Sequence, residues 1–153
     1  MPTIAELTTE LVTLVQTLPA FTNKGFSVYD IDDLQSVANL ESPPLVGVAY
    51  EGGGFADNVG NPVGQTTHAA ALFRAQFSVI IAVAYETADA PIDNKPSATN
   101  LLDEIRSTVL GYKSVNTRPW RFMGEAPMPG KLEGVIFYGQ MWETDITVLR
   151  NTN

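Results

Sequence analysis

Apolar residues recur along this chain with two different periods, and the switch between them predicts its elements. Ile4, Leu7, Leu11, Leu14, Val15 and Leu18 return at three- and four-residue spacing, one stripe of a helix over residues 3–18. Thr3 with Glu6 three positions on has the form of a capping box, and Pro19 stops the segment. Gly25 to Tyr29 reads as a short strand, Asp30 as the N-cap of a helix over Ile31 to Leu40, and Leu45 to Tyr50 as the next strand. From Thr67 to Glu86 the period is two. Phe73, Ala75, Phe77, Val79, Ile81, Val83 and Tyr85 share one side, and Arg74, Gln76, Ser78, Ile80, Ala82 and Ala84 the other. Ser97 or Thr99 then caps a helix to about Leu110, whose inner face is Leu101, Leu102, Ile105, Val109 and Leu110, with Gly111 as its stop. A strand around Arg118 to Gly124, a turn over Ala126 to Gly130 and a long strand from Leu132 to Leu149 complete the chain.

This order predicts one α+β domain over residues 1–153. Its expected form is a two-layer arrangement in which a mostly antiparallel, mixed sheet carries helices on one face and places its long strands at the subunit edge. Between the second and third strands, Glu51 to Gln65 (EGGGFADNVGNPVGQ) holds five glycines, which predicts a loop with no ladder of its own. A loop of that length belongs at a contact surface, and Gly52, Gly53, Gly54, Phe55, Asn58 and Asn61 are its candidate contact residues.

Composition narrows the function classes. The 17 acids outnumber the 9 bases and the net charge is −8, with the bases scattered, so tight binding to nucleic acid phosphates is excluded. Only 17% of residues are charged, which leaves uncharged surface able to pack on other chains. The absence of cysteine removes disulfides and thiolate metal sites. The opening residues lack a signal-peptide pattern, and the longest apolar stretch, Val79 to Tyr85, is too short to span a bilayer as a helix. These features predict a soluble product of the cytoplasm with no membrane association.

Candidate chemistry is sparse. The triple glycine is followed by no Gly-Lys-Ser/Thr, so a mobile turn explains it better than a phosphate loop. His68 is the sole histidine and has no spaced partner for metal ligation or nucleophile activation. Asp30, Asp32 and Asp33 lack the glycine and glutamate of a calcium loop, and helix capping accounts for them. Glu133, Glu143 and Asp145 differ by even numbers and fall on one face of an unbroken strand. Two of them could act as a hydrolase pair, but a solvated acidic face is the simpler reading. Trp142 lies on the other face with Ile136, Tyr138, Gln140 and Thr144, a set suited to a subunit contact or a core edge. Trp120, after Arg118-Pro119, reads either as an interface anchor or as a core residue.

Three segments carry a family resemblance: NLLDEIRSTVLGYK (Asn100 to Lys113), RPWRFMGE (Arg118 to Glu125) and LEGVIFYGQMWETDITV (Leu132 to Val148). With the order of elements, they resemble the tail terminators, or tail-completion proteins, of long-tailed bacteriophages and a related family of Mu-like phages and prophages. The resemblance implies a two-layer α/β structural subunit of the virion tail, assembled in the host cytoplasm, with no catalytic residues and no cofactor. It implies a homo-oligomeric ring, typically a hexamer, that caps the tail tube, stops its polymerisation and meets a head-completion or neck protein. On this view Trp120, Arg121, Tyr138, Trp142 and Glu143 are subunit-interface candidates, and the 51–65 loop touches the tail tube protein. Glu133, Glu143 and Asp145 would line an acidic lumen through which DNA passes without specific binding. The alternatives are a head–tail connector or minor tail protein and, from other classes, a small hydrolase using Glu143 and Asp145 or a small-ligand-binding module.

Overall fold

The computed structural model describes residues 2–55, 70–84, 97–114, 117–130 and 132–149. Its elements run α1 (Ile4–Val15), a 3-10 turn (Pro19–Phe21), β1 (Gly25–Ser27), α2 (Ile31–Ala38), β2 (Leu45–Phe55), β3 (Ala70–Ala84), α3 (Ala98–Val109), β4 (Arg121–Met128) and β5 (Val135–Leu149). The strands form one mixed sheet in the order β1-β2-β3-β5-β4, parallel only between β1 and β2. The α+β class and the mostly antiparallel sheet are as the periodicity implies.

Local chemistry explains the helices. Thr3 Oγ1 accepts from the Glu6 amide at 3.1 Å while Glu6 Oε2 accepts from the Thr3 amide at 2.7 Å, the reciprocal cap foreseen at α1. The helix ends at Val15, short of Leu18, because Pro19 holds Leu18 extended and the last amides tighten into i→i−3 bonds. Asp30 caps α2 by accepting from the Asp33 amide at 3.0 Å, and Ser97 does the same for Asn100 on α3 at 3.2 Å. Gly111 follows α3 with φ +76°, the left-handed geometry of a C′ glycine.

The two sheet faces are covered differently. Leu7, Leu11 and Val15 of α1 and Leu101, Leu102, Ile105 and Val109 of α3 pack on Val46, Val48, Phe77, Val79, Ile81 and Trp142. Full burial of each such leucine stabilises the fold by about 2 kcal/mol. Leu34 of α2 meets Leu45, Ala49, Ile80, Ala82 and Phe137, the residues of opposite parity, so α2 lies on the other face. Only α1 and α3 form the helical layer expected on one face.

Three further expectations are corrected. The long strands β3 and β5 are paired neighbours inside the sheet, not its edges: β3 is bonded to β2 and β5, and β5 to β3 and β4. Residues 51–55 are strand: β2 continues through Gly52, Gly53 and Gly54 to pair Phe55 with Phe73, after a register shift between Tyr50 and Gly52. Gly52, at φ +109°, absorbs that bulge. Finally, β4 begins at Arg121 and runs through Ala126 and Pro127, which the sequence reading placed in a turn; Pro127 is tolerated because β4 is an edge strand. Asn58, Asn61 and His68 lie outside the described residues.

Candidate functional site

The register of three adjacent strands assembles a cluster of charges on the sheet face that α2 leaves uncovered. Arg74 of β3 stands opposite Asp145 of β5, Gln76 opposite Glu143, and Arg121 of β4 opposite Glu143 from the other side. Glu143 and Asp145 are two residues apart and so share this face. Two guanidinium groups therefore flank two carboxylates. Arg121 Nε and Nη2 donate to Glu143 Oε1 at 3.0 and 2.8 Å, and Nη1 and Nη2 donate to Asp145 Oδ2 and Oδ1 at 3.3 and 3.0 Å. Arg74 Nε donates to Asp145 Oδ1 at 3.1 Å and lies 3.6 Å from Glu143 Oε1. Gln76 Nε2 reaches Glu143 Oε2 at 3.4 Å.

Glu143 and Asp145 are 5% and 4% exposed. Burial disfavours the charged form of Asp145, but the hydrogen bonds and charges of Arg121 and Arg74 outweigh it, and the carboxyl is held below its usual range. Burial also opposes the charge on Arg121, and the two carboxylates overcome it and raise its pKa. A glycosidase pair needs one carboxyl kept protonated to act as an acid. An aspartate held ionised between two arginines is poorly suited to that task. The expected row of three solvated acids is likewise corrected. Glu143 and Asp145 are buried and neutralised, and Glu133 sits before β5 in the turn at Gly134, exposed.

Burial also reassigns the interface candidates. Trp120 is core, with its ring edge-on to Phe77 at 5.4 Å, and Trp142 is fully buried beside Phe122 at 5.2 Å. Neither can anchor a partner, because the helical layer already covers them. Arg121 and Tyr138 remain partly accessible. The buried amide of Gln140, read from the sequence only as one of a mixed face, ties that layer together. Its Nε2 donates to the Leu102 carbonyl and to Glu125 Oε1, both at 3.0 Å, and its Oε1 accepts from Trp142 Nε1 at 3.1 Å. Arg106 of α3 pairs with Glu125 and Asp103 and lies over the Phe122 ring. A glutamine between Tyr138 and Trp142 in the alternation was the available signal, since a buried amide must be hydrogen-bonded.

Two concavities border the cluster. A trough of about 310 Å³ is lined by Glu51, Gly52, Gly53, Gly54, Phe55, Arg74 and Gln76. A second, of about 320 Å³, is floored by Ser78, Gly124, Ala126, Gly139 and Met141, where small residues lower the surface of β4 and β5. Large apolar side chains are exposed at the two ends of the sheet and, as Tyr50 and Phe55, along β2. Tyr29 (91%) and Leu40 (89%) flank α2 near β1, while Met123 (51%), Leu110 and Tyr112 lie at the β4 end. The latter two are tied there by bonds from the Gly111 amide to the Trp120 carbonyl and from the Trp120 amide to the Tyr112 carbonyl, at 3.1 and 2.9 Å. Among the described residues, no helix is long and apolar enough to cross a membrane. No protein-family model matches this chain. No curated protein matches it either.

Proposed function

We propose that this chain is a structural subunit of a tailed-phage virion, of the tail-terminator kind, that closes into a ring on the tail tube and joins it to the head or neck. The observation that carries the reading is the placement of unlike apolar surfaces at opposite ends of one sheet. A heterologous contact, which generates a ring, needs two different patches on each subunit. The β1–α2 end offers Tyr29 and Leu40, and the β4 end offers Met123, Leu110 and Tyr112. Exposed apolar groups that join into a contiguous patch mark contact surfaces, and these are the groups at each end that a neighbouring subunit would cover. The resemblance of residues 100–113, 118–125 and 132–148 to tail-completion proteins, and the α+β fold to which those segments contribute α3, β4 and β5, support the same reading.

The charged cluster has a supporting role in it. With Glu143 and Asp145 paired to Arg74 and Arg121, β3, β4 and β5 are tied together on the face that α2 leaves uncovered. A stiff centre of this kind holds the flanking strands of the sheet in place for contact with other chains. In this reading any channel charge comes from other acids of the chain.

The test is the state of the purified protein by light scattering coupled to size exclusion, with negative-stain imaging alone and with tail tubes. A closed ring of one size that seats on tube ends is expected. A strictly monomeric species at high micromolar concentration overturns the reading, and binding to portal-side proteins instead of tubes reassigns it to a connector.

A further inference from the structure

We infer that the outer edge of β2 at Gly52–Phe55 is a docking site for an extended segment of another polypeptide in which acidic and apolar side chains alternate. On its inner side this stretch is paired to β3 through Gly52–Gln76, Gly53–Ala75, Gly54–Arg74 and Phe55–Phe73. On its outer side β1 pairs only with Val46, Gly47 and Val48, and no described residue bonds the backbone beyond them. An unpaired edge is a template for strand addition, and proteins that keep an edge free blunt it with bulges, prolines or charges. The other edge, β4, is blunted by its bulge between Phe122 and Gly124 and by Pro127; β2 has a bulge as well, between Tyr50 and Gly52, but from Gly52 to Phe55 its pairing to β3 is regular. Residues 52–55 of β2 carry neither proline nor charge.

The choice of occupant follows from what the glycines leave open. Gly52 and Gly54 are the cross-strand partners of Gln76 and Arg74, and a Cβ at either would meet nothing within 4 Å. Among the described residues nothing fills the lane of β2 on that face, which is one strand spacing wide at about 4.8 Å. A side chain from an added strand can lie across it to Arg74. The Arg74 side chain is 45% exposed, spends Nε on Asp145, and its terminal nitrogens make no hydrogen bond to any described residue. Those nitrogens select a carboxylate, and the span of the lane favours glutamate over the shorter aspartate. On the opposite face Phe55 stands edge-on to Phe73 at 5.5 Å and stays largely exposed, which selects an apolar residue at the neighbouring position. Alternation in the occupant thus mirrors alternation in the edge. The inference does not rest on the ring reading, because the edge, the open lane and Arg74 all belong to one chain.

The experiment is an amide-resolved NMR titration of the intact chain with a short synthetic peptide alternating valine and glutamate, and with its glutamine counterpart. The amides of Gly52 to Phe55 shift with the glutamate peptide, and the glutamine peptide binds about tenfold more weakly, as loss of a charge-assisted hydrogen bond requires. Gly54→Asp sets a carboxylate beside Arg74 and removes the preference for glutamate, whereas Gly54→Asn, of the same size and in the same open space, retains it. Unmoved amides at saturating peptide, or equal affinity for the two peptides, overturns the inference. So does a shift of the same amides on dilution of the chain alone, which assigns the edge to a second copy.

Discussion

Arg121 faces Glu143 across the β4–β5 ladder, yet its guanidinium also reaches Asp145 one step further along the strand, with Nη2 bonded to both carboxylates at 2.8 and 3.0 Å. That fork makes Arg121 the bridge between two buried acids that would otherwise repel each other. Arg74 approaches the same pair from the opposite strand through a single nitrogen. Each arginine thus has a distinct share of the cluster.

Replacing Arg121 by leucine leaves Glu143 and Asp145 buried with Arg74 alone. Breaking a fully buried pair costs about 3–5 kcal/mol, but Arg121 is partly solvated, so a loss of about 2 kcal/mol is expected. Urea denaturation of Arg121→Leu checks it. A midpoint within error of the parent chain would show that the fork contributes nothing to stability.

Acid lowers stability through Asp145. Its carboxyl binds a proton less readily in the folded chain than in the unfolded one, so the unfolded state holds more protons in the acid range and stability rises with pH there. The contribution is complete above the ordinary aspartate value, about 3.9, and is lost as pH falls through the depressed folded value. Unfolding curves across the acid range give a shallower pH dependence for Asp145→Asn than for the parent. Parallel curves would contradict the origin assigned to this dependence.

Gln140→Ala removes three hydrogen bonds at once and opens space under α3. The Trp142 indole N–H loses its acceptor and the Leu102 carbonyl its side-chain donor. A loss of about 2–4 kcal/mol follows from the unpaired groups and the cavity together. Glu125→Gln keeps a side-chain oxygen near the same amide and costs much less in the same melting experiment.

The glycines of β2 separate by neighbour. A Cβ at Gly53 would lie 2.5 Å from the Arg74 carbonyl oxygen and 2.7 Å from the Phe73 ring, so Gly53→Ala pushes β2 and β3 apart. At Gly54 a Cβ meets nothing within 4 Å, and Gly54→Ala is neutral or stabilising by up to about 1 kcal/mol through the unfolded chain. Thermal melts of the two variants should move apart. Equal melts would mean that this stretch does not hold the ladder.

If the ring uses the two ends of the sheet, Tyr29→Asp and Met123→Asp each leave the fold intact and reduce the oligomer to smaller species. Light scattering together with far-ultraviolet circular dichroism reads both properties. Rings of full size from both variants would remove these surfaces from the contact.

The periods of three-to-four and two, the caps at Thr3, Asp30 and Ser97 and the stop at Gly111 were legible in the sequence because they depend on neighbours a few residues away. They determined the helices, most of the strands and the α+β class. Strand order and register are contacts between distant segments, and only the tertiary structure decided them. Register is what set Arg74 and Arg121 beside Glu143 and Asp145, turning an expected solvated row into a buried, neutral cluster. Pairing with β3 likewise carried β2 through three glycines whose own preference is for a turn. Burial of Trp120 and Trp142 was a third such outcome, since an indole suits a core or an interface equally until the layer above it is known.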